Sequence, residues 1–202
     1  KWIEALAAAA KGRTAADVVR LAAARVERGG VLLSVVAAGE LDEFELTAGQ
    51  RGDRELLTRV LTAAREEYEK ATAALAPLFD DLHAREDELL TAGVYDLLVR
   101  GKLDATLNLG WANYYLAILE PKDEGRRADL LGKALRRFQE LLDSGQAGAM
   151  RAQCCLAVGM TQRELGRLVD AEKSLNNSLG PDVPPPIAAQ ARYELARCQL
   201  KG

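Results

Sequence analysis

Histidine is nearly absent from this chain of 202 residues: His83 stands alone. That excludes a two-histidine zinc site of the H-E-x-x-H kind and the paired Glu-x-x-His sites of di-iron bundles. Asp80-x-x-His83 places two ligand types one helical turn apart, but without a second such pair it reads as a surface histidine beside a carboxylate. Cysteine is sparse and odd in number. Cys154, Cys155 and Cys198 have neither Cys-x2-Cys spacing nor histidine partners, so no metal is expected. Adjacent Cys154 and Cys155 diverge by about 100° on a helix, which forbids an unstrained bridge. Only 6 Pro and 17 Gly are present, three of the prolines in one run, too few turn residues for a sandwich or barrel of many strands. The most apolar stretch, Val31 to Ala38, falls well short of the roughly 18 residues a membrane span needs. No membrane insertion is expected.

Nucleotide-binding and hydrolase signatures are missing as well: no G-x-G-x-x-G, no P-loop and no G-x-S-x-G. Glu66-Glu67 and Glu86-Asp87-Glu88 could supply paired carboxylates, but acidic pairs on solvated helix faces are far commoner than catalytic ones. The sequence therefore predicts a protein that is not an enzyme and needs no cofactor. Charge excludes a further class. The 27 basic and 30 acidic side chains give −3, without the strong basic excess that phosphate binding leaves. The densest cationic group, Arg126, Arg127, Lys133, Arg136 and Arg137, lies on an amphipathic pattern and reads as a solvated face. No nucleic-acid partner is expected. Asn176-Asn177-Ser178 matches a glycosylation pattern by coincidence, inside a predicted helix.

What remains, 49% hydrophobic and 28% charged, describes a helical globular chain large enough to fold without staples. Trp2 to Ala10 reads as a short helix. Thr14 can cap a second one that Gly29-Gly30 should end, and Val31 to Ala38 favours helix over strand. The stretch from Leu41 to Asp53 reads as mostly loop, with Asp53 as the next cap. Leu56, Leu57, Val60, Leu61, Ala64, Tyr68 and Ala71 form one apolar stripe on a long helix, which Pro77 should break or kink. A helix to Val99 ended by Gly101, a buried one over 103–119, one ending near Asp143 before Ser144-Gly145, and further helices around Pro184-Pro185-Pro186 complete the pattern.

An internal period underlies the carboxy-terminal half. Residues 152–184 contain Cys155-x2-Val158-Gly159, Gly166, Ala171-x3-Leu175-x2-Ser178 and Pro184. Leu109-Gly110 and Leu195-Ala196 repeat the first-helix marker at offsets of 49 and 37 residues from Val158-Gly159. Ala64-x3-Tyr68-x2-Ala71 and Ala134-x3-Phe138-x2-Leu141 repeat the second. This pattern resembles the tetratricopeptide (TPR) repeat of paired antiparallel helices. Small residues at Gly159 and Ala171 would let the helices approach, Gly166 would turn the chain and Leu175 would fill the gap. The pattern departs from the family at Cys155, Gln162 and Leu175, where large aromatics are usual. The Gly110 to Ala134 spacing is 24 residues rather than the 12 between Gly159 and Ala171. The same 37-residue offset sets Cys198 opposite Thr161, roughly 10 Å along from Cys154 and Cys155, so all three are expected as unbridged thiols.

The resemblance implies an all-α fold: antiparallel helix pairs stacked as a TPR-like α-α superhelix, with an irregular amino-terminal helical cap over 1–52 and the array over 53–202 as one continuous domain. It also implies a non-enzymatic scaffold that binds a peptide or helix on a concave face lined by first helices. Those positions are Leu107, Trp111 and Tyr114; Leu156, Met160 and Arg163; Tyr193, Arg197 and Leu200. Lys and Asn, which hold chaperone tails in carboxylate-clamp members, are replaced there by Leu107, Trp111, Leu156 and Met160. The alternative is a structural or self-associating module of a larger, exported protein, docking on neighbouring domains or on a second copy. The start at Lys1 rather than Met leaves cytoplasmic and exported locations both open. A first-type helix just before Gly202 leads us to expect either further chain or a capping role for that helix.

Overall fold

A computed structural model describes residues 14–36, 41, 53–120, 122–145 and 147–200. These residues form helices joined by turns, with no strand among them. In chain order the helices are α1 (Ala15–Val31), α2 (Arg54–Asp80), α3 (Glu86–Thr91), α4 (Tyr95–Ile118), α5 (Glu124–Asp143), α6 (Arg151–Glu164), α7 (Leu168–Asn176) and α8 (Pro185–Gln199). A π-helical turn, Leu32–Val36, extends α1, and a 3-10 turn, Gly148–Met150, leads into α6. The expected helix over 2–10, and the loop before Asp53 apart from Leu41, lie outside the described residues.

Helix starts follow side-chain capping. Thr14 and Asp17 form a reciprocal box: Asp17 N–H donates to Thr14 Oγ1 at 3.3 Å and Thr14 N–H donates to Asp17 Oδ2 at 3.2 Å. Asp53 accepts from Leu56 N–H at the head of α2, and Asp123 from Arg126 N–H at the head of α5, each at 2.9 Å. Helix ends follow glycines with positive φ. After α3, Val94 N–H donates to Leu89 O and Gly93 N–H to Leu90 O, the paired bonds of a Schellman motif around Gly93 at φ 66°. Gly166, at φ 74°, ends α6 in the same way: Arg167 N–H reaches Gln162 O and Gly166 N–H reaches Arg163 O.

Three expected breaks behave differently. Gly29-Gly30 do not end α1; the helix passes through them to Val31. A Cβ on Gly29 would sit 2.7 Å from Cζ of Tyr68, so this glycine exists for the close approach of α2. Gly101 lies inside α4, where a Cβ would stand 3.5 Å from Leu75 Cδ1. Pro77 also sits within a helix, because α2 continues through it to Asp80 before the turn over residues 81–85. Its missing N–H costs one bond near the helix end, where little of the ladder remains to be lost.

The chain divides into two compact units, residues 1–112 and 113–202, with the boundary inside α4. In the first, α1 packs along α2. Ala15, Val19 and Ala22 of α1 join Ala71 and Leu75 of α2, Leu89, Val94, and Leu98 and Ala105 of α4 in one core. A smaller cluster gathers Ala64, Tyr68 and Leu109 against Val26 and Leu32. In the second unit α5 packs on α6, α6 on α7 and α7 on α8, while α8 also returns onto α6. The α6 surface is accordingly buried from Cys154 through Thr161.

Candidate functional site

The two helices of the α6–α7 hairpin approach closely at Gly159. A Cβ on Gly159 would meet Leu175 Cγ at 2.6 Å, Leu175 Cδ2 at 2.8 Å and the Ala171 carbonyl at 3.1 Å. Ala171 and Leu175 are themselves fully buried. Glycine is thus required by a neighbouring backbone as well as by a side chain. Ser174 Oγ donates to Gln162 Oε1 at 2.8 Å across the same interface, so Gln162 supplies a polar tie at an aromatic position of the repeat pattern. In the first unit, Gly29 meets Tyr68 four residues after Ala64, the arrangement that Gly159 makes with Leu175 four residues after Ala171. The amino-terminal helix therefore carries a close-approach glycine that periodicity alone did not disclose.

A chain of alternating charges ties the end of α6 to α5 and α8. Arg163 is 2% exposed and its Nε lies 2.7 Å from Glu194 Oε2, on a residue 1% exposed. Arg163 Nη1 lies 2.6 Å from Glu164 Oε1, and Glu164 is also paired with Arg127 Nη2. Arg127 Nη1 further donates to the Glu164 carbonyl at 3.3 Å, bonding the helix end itself. Glu194 Oε1 accepts from Gln190 Nε2 at 3.1 Å and from Arg197 Nη1 at 3.3 Å. The Arg163 approaches run off its N–H axes, so charge rather than aligned hydrogen bonding holds that side chain. Burial works against its protonated form. Glu164 and Glu194, helped by the field of Tyr114, outweigh that penalty and hold the guanidinium above its usual range.

The sequence-derived contact residues separate by burial. Leu107, Tyr114, Leu156, Met160 and Arg163 are buried, and Trp111 is half-buried. Arg163 meets Glu194 of α8, which packs back on α6, and Met160 is buried on the same helix. Tyr114 packs edge-on to Tyr115, ring centroids 5.3 Å apart. Tyr193 (58% exposed) and Leu200 (87% exposed) are open, with Arg197 half-buried between them. The Arg197 guanidinium carbon lies 5.7 Å from the Tyr193 ring centroid, so the pair offers an apolar plate with a cation over it. Glu194 escaped sequence reasoning. Its signal was present, for it falls in register with Ala191 and Cys198 on the buried stripe of α8, and a carboxylate there demands a cationic partner.

Burial also dominates the thiols. Cys154, Cys155 and Cys198 are buried, and none of them forms a disulfide. Desolvation first, then the neighbouring Cys155, pushes the Cys154 thiol up to about 11. Burial likewise raises Cys155, against the pull of Arg151. Neither is an activated nucleophile. In the first unit, burial and then the charge of Asp104 hold the Tyr68 phenol well above its ordinary range. Among the described residues no group of three or more His, Cys, Asp and Glu could hold a metal ion, and exposed His83 lies 3.7 Å from Glu86. No described helix is long and apolar enough to cross a membrane. Comparison of the chain with protein families, curated proteins and solved structures gives no significant match.

Proposed function

We propose that this chain is a non-enzymatic, TPR-like interaction scaffold that binds a peptide or helix, with the accessible part of its binding face on α8. The observation that carries this reading is the exposed Tyr193–Arg197–Leu200 stripe, spaced at i, i+4 and i+7 on one helix. Tyrosine and arginine dominate binding hot spots because each desolvates a large surface while keeping a polar handle. The Gly159–Leu175 close approach and the turn at Gly166 support the repeat reading of α6–α7. The scaffold role also agrees with the chemistry of the described interior, where the Cys154 and Cys155 thiols are raised and Arg163 is held by two carboxylates, so that none of the three is a poised acid, base or nucleophile.

Quantitative pull-down with Tyr193→Ala and Arg197→Ala tests the stripe. Both variants should recover less partner at unchanged helicity. Equal recovery from wild type and both variants would remove α8 from the binding face.

A further inference from the structure

The 37-residue offset that relates α6 to α8 carries further than the marker residues. It superimposes Ala152 on Ala189, Gln153 on Gln190, Gly159 on Ala196 and Gln162 on Gln199. On α6, the Gly159 and Gln162 positions receive α7: Leu175 and Ala171 lie over Gly159, and Ser174 bonds Gln162. On α8 the corresponding Ala189, Ala196 and Gln199 are all exposed, together with Arg192, Tyr193 and Leu200. The buried stripe of Ala188, Ala191, Glu194 and Cys198 lies on the opposite side of the helix. The second unit is a succession of interfaces, α5 on α6, α6 on α7 and α7 on α8, and this face is where the next would form.

We infer that the Ala189–Ala196–Gln199 face of α8 is a docking site for one amphipathic helix of a partner protein, built like α7 and bearing an acidic side chain. The equivalent interface fixes the first requirements: a small residue, a leucine-sized side chain four places on to cover Ala196, and a hydroxyl just before it to bond Gln199. Charge fixes the last. The only acidic residue of α8, Glu194, is buried and already pairs with Arg197, so on this face Arg192 is the exposed cation that a carboxylate of the docked helix would meet. This face adjoins the Tyr193–Arg197 pair but rests on the internal correspondence of α6 and α8, so either surface can fail without the other.

The test uses the full chain and a fluorescein-labelled peptide spanning residues 167–179, held helical by a lactam bridge on its outward side because so short a helix is marginal alone. A saturable anisotropy rise is expected. Ala196→Glu, at an exposed position, should weaken binding at least about tenfold, because a long carboxylate side chain fills the space the docked leucine would cover and competes for Arg192. Gln199→Ala should weaken it less, Arg197→Ala should leave it nearly unchanged, and a peptide with Leu175→Asp should not bind. No saturable binding, or binding insensitive to Ala196→Glu, overturns the inference. So does a wild-type dimer that Ala196→Glu converts to monomer in sedimentation, because the occupant would then be a second copy.

Discussion

Gly159→Ala adds a single methyl group at the tightest point of the α6–α7 contact, and two effects of opposite sign compete. Replacing a mid-helix glycine by alanine gains about 1 kcal/mol from reduced backbone freedom in the unfolded chain. Against this, the new Cβ would stand 2.6 Å from Leu175 Cγ and 3.1 Å from the Ala171 carbonyl. The branch carbon of a buried leucine and a helix backbone cannot swing aside, so the helices must separate, an overpacking cost of about 1–3 kcal/mol. A net loss of up to about 2 kcal/mol is expected, against the gain of about 1 kcal/mol that an unhindered glycine would give. Leu175→Ala alone empties a fully buried site and should cost about 2–5 kcal/mol. In the double variant the added methyl enters the space that Leu175 vacates, so its cost should fall short of the sum by about 1–2 kcal/mol, well beyond the error of additivity. Urea unfolding followed by circular dichroism, at constant slope, reads these differences. Gly132→Ala is the control: its Cβ would meet only Arg136 Nη1, at 3.8 Å, so the helix-propensity gain should appear uncancelled. If Gly159→Ala is as benign as Gly132→Ala, or the double variant is additive, the close approach does not constrain the fold.

The buried charge chain predicts that Glu194→Ala, which leaves Arg163 with Glu164 as its remaining carboxylate, costs about 2–3 kcal/mol in urea unfolding, less than the ~3–5 kcal/mol of a wholly stranded charge, whereas replacing both by Arg163→Met and Glu194→Leu restores most of it. A loss under about 1 kcal/mol for Glu194→Ala, typical of exposed pairs, would contradict the burial argument. Gly166→Ala forces a Cβ into the left-handed region at φ 74° and should cost about 1–2 kcal/mol, measured the same way; a neutral result would refute the Schellman ending of α6. The raised Cys154 thiol makes stability depend on alkaline pH. Stability is fully present below the unfolded thiol pKa near about 8.5, and is lost as pH rises toward about 11, because the unfolded chain releases a proton that the folded chain retains. Urea midpoints between pH 8 and 11 should fall less steeply for Cys154→Ala, and equal slopes would exclude this origin.

What was legible in the sequence was local or short-period. Thr14 and Asp53 cap their helices through residues three places on, and a bond of that range is written in adjacent letters. The Gly159, Gly166, Ala171 and Leu175 roles lie within one hairpin and were implied there by the resemblance to the repeat. Gly29 and Gly101 read as helix ends in the sequence, where what stands opposite a glycine is not visible. Here those neighbours are Tyr68 and Leu75, far along the chain. Gly93, by contrast, acts through its own φ and ends the helix that Gly101 was expected to end. The site was less legible than the fold. Arg163 reads from the repeat pattern as an outward position, but Glu194 of α8 meets it, and that pairing across elements is a tertiary fact.

Burial of Arg163 moves its contribution from recognition to support. Glu194 faces Arg163 from α8, and Glu164 ties the same arginine to Arg127 of α5, so three helices are fixed at one end by charges that no solvent screens well. Glu194 also holds Arg197, the residue whose guanidinium lies over the exposed Tyr193 ring. One buried carboxylate therefore sets both the position of α8 and the rotamer of a side chain on its outer surface. Association costs less when side chains are already ordered before a partner arrives. On the proposed reading, the interior of this unit would order the α8 surface without touching a ligand, which would give a helix with an apolar, cationic outer face a reason to keep Glu194 on its buried side.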